Sequence, residues 1–144
     1  MRALGIDLGA KRIGVALSDS AGTLATPYEV VQRSGDRRRD HRRIAALAEE
    51  AGATVLVVGL PRSLDGGEGP AARAARAEAD ELAAATGLPV ELWDERLTTV
   101  TAERDLAAIG LKGPARRKVV DKVAASVLLQ AWLDHRRQTA EDTR

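Results

Sequence analysis

Apolar and polar positions divide the chain into blocks whose period changes along its length. Residues 2–8 and 12–19 are short apolar runs separated by Gly9, Ala10 and Lys11, the pattern of a β-hairpin. A third run, residues 23–31, follows a turn at 20–22. Residues 36–51 then place Ile44, Leu47, Ala48 and Ala51 at helical spacing, with Gly52 where a helix would stop. Residues 54–59 are apolar throughout and β-branched, which predicts a strand covered on both faces and hence a parallel neighbour. The stretch 61–69 holds three glycines and an Asp-Gly pair and is read as a loop. Residues 70–85 form an Ala/Arg/Glu-rich amphipathic helix ending near Gly87. Strand character returns at 89–94. Thr98 or Thr99 can cap a helix running to about residue 109, residues 110–113 break it, and the last helix runs from about 119 to 135.

Three strands in a meander followed by helix, strand, helix, strand, helix, helix give an α/β fold. Its five-stranded mixed sheet joins an antiparallel meander to two parallel strands, with helices on both faces. No linker or repeat divides the chain, so residues 1–138 read as one domain and residues 139–144 as a fraying tail.

Composition narrows the chemistry. With 144 residues the chain is the size of one ordinary domain. It contains no cysteine, which excludes disulfides, thiolate metal sites and a cysteine nucleophile, and two histidines make a histidine metal cage or a Ser/His triad hard to build. Any metal must therefore lean on carboxylates. No leader pattern opens the chain and no window approaches a membrane span, so a soluble cytoplasmic protein with no membrane partner is expected. Net charge is only +1, so attraction to nucleic acid depends on local clustering. Arg33, Arg37, Arg38, Arg39, Arg42 and Arg43 face only Asp36 and Asp40 between them, and Lys112, Arg116, Arg117 and Lys118 lie in a stretch without any acid.

Three acidic positions do not look structural. Asp7 lies inside the first strand between Ile6 and Leu8, where a buried carboxylate must find a donor, shift its pKa or hold a cation. The bland alternative is that it accepts from the Gly9 turn. Asp94 and Glu95 close the strand at 89–94, at the kind of strand end where α/β sheets bind ligands; alternation sends them to opposite faces and leaves open which one joins Asp7. Asp121 opens the last helix on the stripe of Ala124, Ala125, Leu128, Ala131 and Trp132, so it points inward, with helix capping as the competing explanation. Acids converging from separate elements repel one another, and a divalent cation is the usual remedy.

Four blocks carry a family resemblance: Gly5-Ile-Asp-Leu-Gly-Ala-Lys-Arg-Ile-Gly-Val-Ala-Leu-Ser-Asp19, Val58-Gly-Leu-Pro61 with Asp65-Gly66, Asp94-Glu-Arg-Leu-Thr-Thr99, and Asp121-Lys-Val-Ala-Ala125. In this order and spacing they resemble the YqgF/RuvX family over nearly the whole chain. The resemblance implies a ribonuclease H-like fold similar to the RuvC-type resolvases. It also implies a nuclease acting at the 5′ end of pre-16S rRNA, with four-way DNA junction cleavage proposed for some members. It places the catalytic and metal-binding acids at Asp7, Glu95 and Asp121, preferring Glu95 to Asp94. Mg²⁺ or Mn²⁺ is the implied cofactor, two ions about 3.5–4 Å apart activating water and stabilising the leaving 3′ oxygen. Arg62, Arg96, Lys118 and Lys122 are candidate phosphate contacts, while the glycines of the 62–69 loop are read as supplying a turn. Tyr28, Trp93 and Trp132 are the only aromatic rings besides histidine and Trp132 reads as core, so recognition should depend on backbone shape rather than base stacking.

Two other readings compete. Gly-Ile-Asp-Leu-Gly also resembles the first phosphate-binding hairpin of the actin, heat-shock-70 and sugar-kinase group, but a second nucleotide-clamping lobe does not fit in this length. A non-catalytic RNA-binding module in ribosome assembly would bind RNA without cutting it. A trimming nuclease can act as a monomer, whereas a junction resolvase making two opposed cuts favours a homodimer.

Overall fold

The computed structural model describes residues 1–62, 65–97 and 110–142, apart from the side chains of residues 117–119 and 141–142. Strands β1 (Ala3–Leu8), β2 (Arg12–Ser18) and β3 (Ala25–Gln32) form the antiparallel meander. Helix α1 (Arg37–Ala51) leads into β4 (Val55–Leu60), and α2 (Pro70–Thr86) into β5 (Val90–Asp94). A 3₁₀ turn at Glu95–Leu97 follows, and the last described helix is α3 (Gly113–Asp142). The sheet order is β3-β2-β1-β4-β5, with β1 parallel to β4 and β4 parallel to β5. The expected mixed five-stranded sheet is present, and β1 is its centre.

Local chemistry sets the helix limits. Asp36 caps α1 by accepting from the Arg38 and Arg39 amides, and Gly52 ends it in the left-handed region at φ 70°. Pro70 starts α2 in its first turn, where a missing amide costs nothing, and Gly87 ends it at φ 71°. The helix expected at 98–109 lies outside the described residues. Gly110 and Gly113 both have positive φ, as a chain break before α3 requires. Helix α3 is longer than the spacing predicts. It starts at Gly113 with Pro114 in its first turn, and since no glycine or proline interrupts residues 115–142 it continues through the segment expected to fray.

Strand alternation builds two cores on the two faces of the sheet. Leu4, Ile6, Ile13, Val15, Leu56 and Val58 point toward α1 and α2 and pack with Ile44, Leu47 and Leu82. Ala3, Ala16, Val57 and Trp93 point the other way, against Leu128, Leu129, Trp132 and Leu133 of α3. Every residue of β4 is buried, as its apolar run predicts. No helix among the described residues is long and apolar enough to cross a membrane.

The α3 face carries Gly5 and Gly14 where other strand positions carry side chains. A Cβ at Gly5 would lie 2.8 Å from the Leu129 Cβ, and one at Gly14 would lie 2.2 Å from the Asp121 carbonyl oxygen. The absent side chains let the Asp121 end of α3 approach β1 and β2 closely.

Candidate active site

Asp7 occupies the α3 face of β1, in register with Gly14 of β2. The Gly9 amide donates to the Arg12 carbonyl oxygen and closes the hairpin turn. Asp121 reaches the same place from α3. It does not open the helix as expected: it lies eight residues beyond Gly113, more than two turns inside, where neither capping nor the helix dipole acts. Glu95 arrives from the turn after β5. Trp93 is buried under α3, Asp94 takes the opposite side, and Glu95 returns to the α3 face, its Oε1 lying 2.6 Å from where a Cβ on Gly59 would stand. The three carboxylates line one cleft of about 460 Å³ at the carboxyl ends of β1 and β4, with Gly59 in its lining.

Alternation left Asp94 and Glu95 equivalent, and the structure separates them. Asp94 accepts from Arg96 at 2.6 Å through Nη2 and at 3.0–3.1 Å through Nε, with the Arg62 Nη1 3.7 Å away. The Arg96 hydrogen bonds, aided by both positive charges, hold its carboxyl below the usual range. Glu95 lines the cleft and Asp94 does not.

The expected phosphate contacts fare differently. Arg62 and Arg96 are gathered by Asp94, and Arg62 also pairs with Glu68 at 3.1 Å, so both are committed to a cluster beside the cleft. Arg76 and then Arg62 hydrogen-bond Glu68 and bring its pKa to about 2. Lys122 is partly buried and is not among the cleft-lining residues. The side chain of Lys118 lies outside the described residues. In the loop, Gly66 has φ 87° and supports the turn reading, and the Gly67 amide closes that turn on Asp65 at 2.8 Å.

Sequence reasoning missed Arg12 and Glu78, and placed Arg33 only within a cluster of arginines. Arg12 Nε donates to Asp121 Oδ2 at 2.5 Å across 109 positions of sequence, and holds that carboxylate from the β2 side. Arg33 Nε donates to the Gly9 carbonyl at 2.8 Å, while Nη1 and Nη2 make a two-pronged pair with Glu78 at 2.9 Å each. Glu78 also bonds His41 Nε2 at 2.7 Å and lies 3.3 Å from Arg37. One signal was available: Glu78 falls on the apolar stripe of α2 beside Ala75, Ala79 and Leu82, where a carboxylate needs a cationic partner.

Burial pushes the Glu78 pKa up, but hydrogen bonds from Arg33 and His41 and the charges of Arg33 and Arg37 outweigh it and bring it to about 2. A depressed folded-state pKa contributes stability that is present above the unfolded value of 4.5 and lost as pH falls toward 2. The shift corresponds to a contribution on the order of 3 kcal/mol at neutral pH. Glu78→Gln is therefore expected to be less stable than wild type at pH 7 and to lose less stability between pH 5 and 3, as read by urea unfolding. Parallel stability profiles for the two proteins would show that the pair contributes nothing pH-dependent.

The comparisons agree with this architecture. A family model described as "RuvX: Holliday junction resolvase" matches residues 1–135. A Myxococcus xanthus protein named "Putative pre-16S rRNA nuclease" is 46% identical over 142 residues, covering 99% of this chain and 93% of that protein. A Mycobacterium ulcerans protein of the same name is 51% identical over 141 residues, covering 96% and 82%. Among solved structures, Thermus thermophilus RuvC in complex with Holliday junction substrate superposes with a TM-score of 0.61 at 20% identity, over 96% of this chain and 97% of that one, which shows the shared ribonuclease H-like fold. Matched by the family model over its first 135 residues and close to half identical to relatives along nearly its full length, the chain belongs to the RuvX family.

Proposed function

We propose that this chain is a divalent-metal-dependent endonuclease that processes the 5′ end of pre-16S rRNA in the cytoplasm, through a single domain spanning residues 1–138. The observation that carries the reading is the one cleft that Asp7, Glu95 and Asp121 line from a strand, a turn and a helix. The relatives' shared name supports the substrate.

The donor set fits a hard cation. It is made only of carboxylate oxygens, the ligands Mg²⁺ and Mn²⁺ prefer, and the chain has no thiolate to compete. Among the described residues no group of three or more such side chains stands ready to hold an ion, so Asp7, Glu95 and Asp121 line the cleft without forming a closed ligand set. Asp7, Glu95 and Asp121 are the residues that would hold the metal. A bound divalent ion supplies Lewis acidity toward the phosphodiester and lowers the pKa of water at neutral pH. Arg12 fixes the Asp121 carboxylate, and Gly59 leaves room for Glu95 to reach the cleft. Products would carry a 5′ phosphate and a 3′ hydroxyl.

The second reading, resolution of a four-way DNA junction, is favoured by the description of the matching family model. It calls for a homodimer making two opposed cuts, whereas leader trimming is compatible with a monomer. The test is cleavage of a pre-16S rRNA 5′ leader and a four-way DNA junction side by side, with Mg²⁺ or Mn²⁺, in wild type and Asp7→Asn. Asp7-dependent cutting of the leader supports the first reading, and cutting of the junction alone transfers the assignment to the second. No cleavage of either, with RNA still bound, makes the protein an assembly module.

The same assay separates the two adjacent acids. Glu95→Gln is expected to abolish cleavage. Asp94→Asn should retain activity within about tenfold, because it loosens Arg96 and Arg62 without removing a cleft carboxylate. Equal losses in both variants would contradict the division of roles.

A further inference from the structure

A second and larger groove of about 710 Å³ continues from the acidic cleft. Ala10, Arg33 and Glu78 line both, so the two share a wall. Lys11, Arg12, Gln32 and Arg37 line only the second groove, and Asp7, Glu95 and Asp121 only the first. The molecule thus carries a carboxylate cleft running into a groove with four cations, Lys11, Arg12, Arg33 and Arg37, against two acids, Asp40 and Glu78.

These cations divide by what they touch. Arg12 is engaged with Asp121. Arg33 is a strut: its backbone amide donates to the Lys11 carbonyl at 2.9 Å, its Nε to the Gly9 carbonyl, and its remaining nitrogens to Glu78, so it fixes the β1–β2 hairpin against α2. Asp40 accepts from the Ser34 amide at 3.1–3.2 Å, which uses that acid on the backbone. Lys11 is exposed at the tip of the hairpin, four residues after Asp7, and its ammonium has no ion-pair partner among the described residues. Arg37 is about half exposed and splits its guanidinium between Glu78 and Glu81, at 3.3 and 2.9 Å. No aromatic side chain lines the groove, so it offers no stacking platform, and cations with a neutral amide at Gln32 suit phosphates rather than bases.

We propose that this groove carries the phosphodiester backbone of the strand flanking the cleavage point, with Lys11 and Arg37 as its phosphate contacts and Arg33 as the residue that positions its wall. The proposal rests on the nuclease reading for the direction of the strand, and on the groove's own lining for its ligand. It separates the arginines of α1, since Arg37 faces the groove while Arg38 and Arg39 do not line it.

The test measures binding apart from cutting. Fluorescence anisotropy with a labelled single-stranded leader RNA, in EDTA and across 50–200 mM salt, compares wild type with Lys11→Gln, Arg37→Gln and the double variant. Arg137→Gln, which removes an exposed guanidinium bonded to Asp134 near the far end of α3, serves as the control. Each single groove variant is expected to reduce the salt slope by about 1. The double variant should bind roughly tenfold or more weakly at 100 mM salt, with Arg137→Gln unchanged. Lys11→Gln, at an exposed turn, keeps the test valid if Arg37→Gln folds poorly. The same losses with a four-way DNA junction support recognition of the backbone. Wild-type slopes in the double variant, with Asp7-dependent cleavage intact, overturn the groove and leave the nuclease reading standing. Reduced slopes in a protein that cuts nothing support the groove and remove the nuclease reading.

Discussion

Asp7→Asn is expected to lower cleavage on the order of 10³-fold or more while leaving RNA affinity within about twofold, because a neutral amide keeps the shape and removes the charge that the proposed metal-dependent cleavage would use. The position supports a clean reading. Asp7 lies at the carboxyl end of the central strand, flanked on one side by buried Ile6, and in register with Gly14 rather than with a bulky neighbour. The exchange therefore should not disturb packing, and thermal unfolding within a few degrees of wild type would confirm that. Cleavage rates on the leader RNA, together with anisotropy in EDTA, give both numbers. Retained cleavage in Asp7→Asn, and likewise in Glu95→Gln and Asp121→Asn, would sink the assignment of the site.

Gly14→Ala should produce the second large effect by moving a whole element. Elsewhere in a strand, alanine for glycine at an allowed conformation would stabilise by about 0.4–1 kcal/mol through the unfolded chain. Here the new Cβ would lie 2.2 Å from the Asp121 carbonyl oxygen and 2.9 Å from its carbonyl carbon, and backbone atoms cannot rotate away. The Asp121 end of α3 must then withdraw from the sheet by roughly 1 Å, a displacement that by itself can cost on the order of 10²-fold in rate. It would also stretch the Arg12–Asp121 pair and open the packing around Ala125, at a cost of about 1–3 kcal/mol. Activity and urea unfolding measured on the same preparation test this. Wild-type activity with wild-type stability would mean that α3 is not held against β2 at this point.

The order of elements was legible because each depends on local physics. The all-apolar run at β4 is covered on both faces, Asp36 and Gly52 bound α1, and Gly87 ends α2. The start of α3 was misjudged because the apolar stripe begins only near Ala124, whereas the helix starts where Gly113 and Pro114 permit it. That error also hid the strongest argument about Asp121, which lies too deep in the helix to be a cap.

The sequence by itself determined the order of the described strands and helices, the exclusion of thiolate chemistry, and an inward-facing acid on each of β1 and α3. The family blocks added Glu95. These follow from periodicity and side-chain type, properties of a chain read a few residues at a time. The tertiary structure showed that Glu95 and not Asp94 lines the cleft with Asp7, as the family blocks imply, and it alone decided that Arg62 and Arg96 are held by Asp94 and that Arg12 holds Asp121. It alone showed that Arg33, ahead of α1, and Arg37, in its first turn, pair with Glu78 of α2 rather than with Asp36 or Asp40. Each of these pairings joins different elements or turns on the direction the chain takes after β5. Charge patterning along the sequence measures only neighbours on the chain, whereas Coulomb attraction and burial act between whatever the sheet order places side by side.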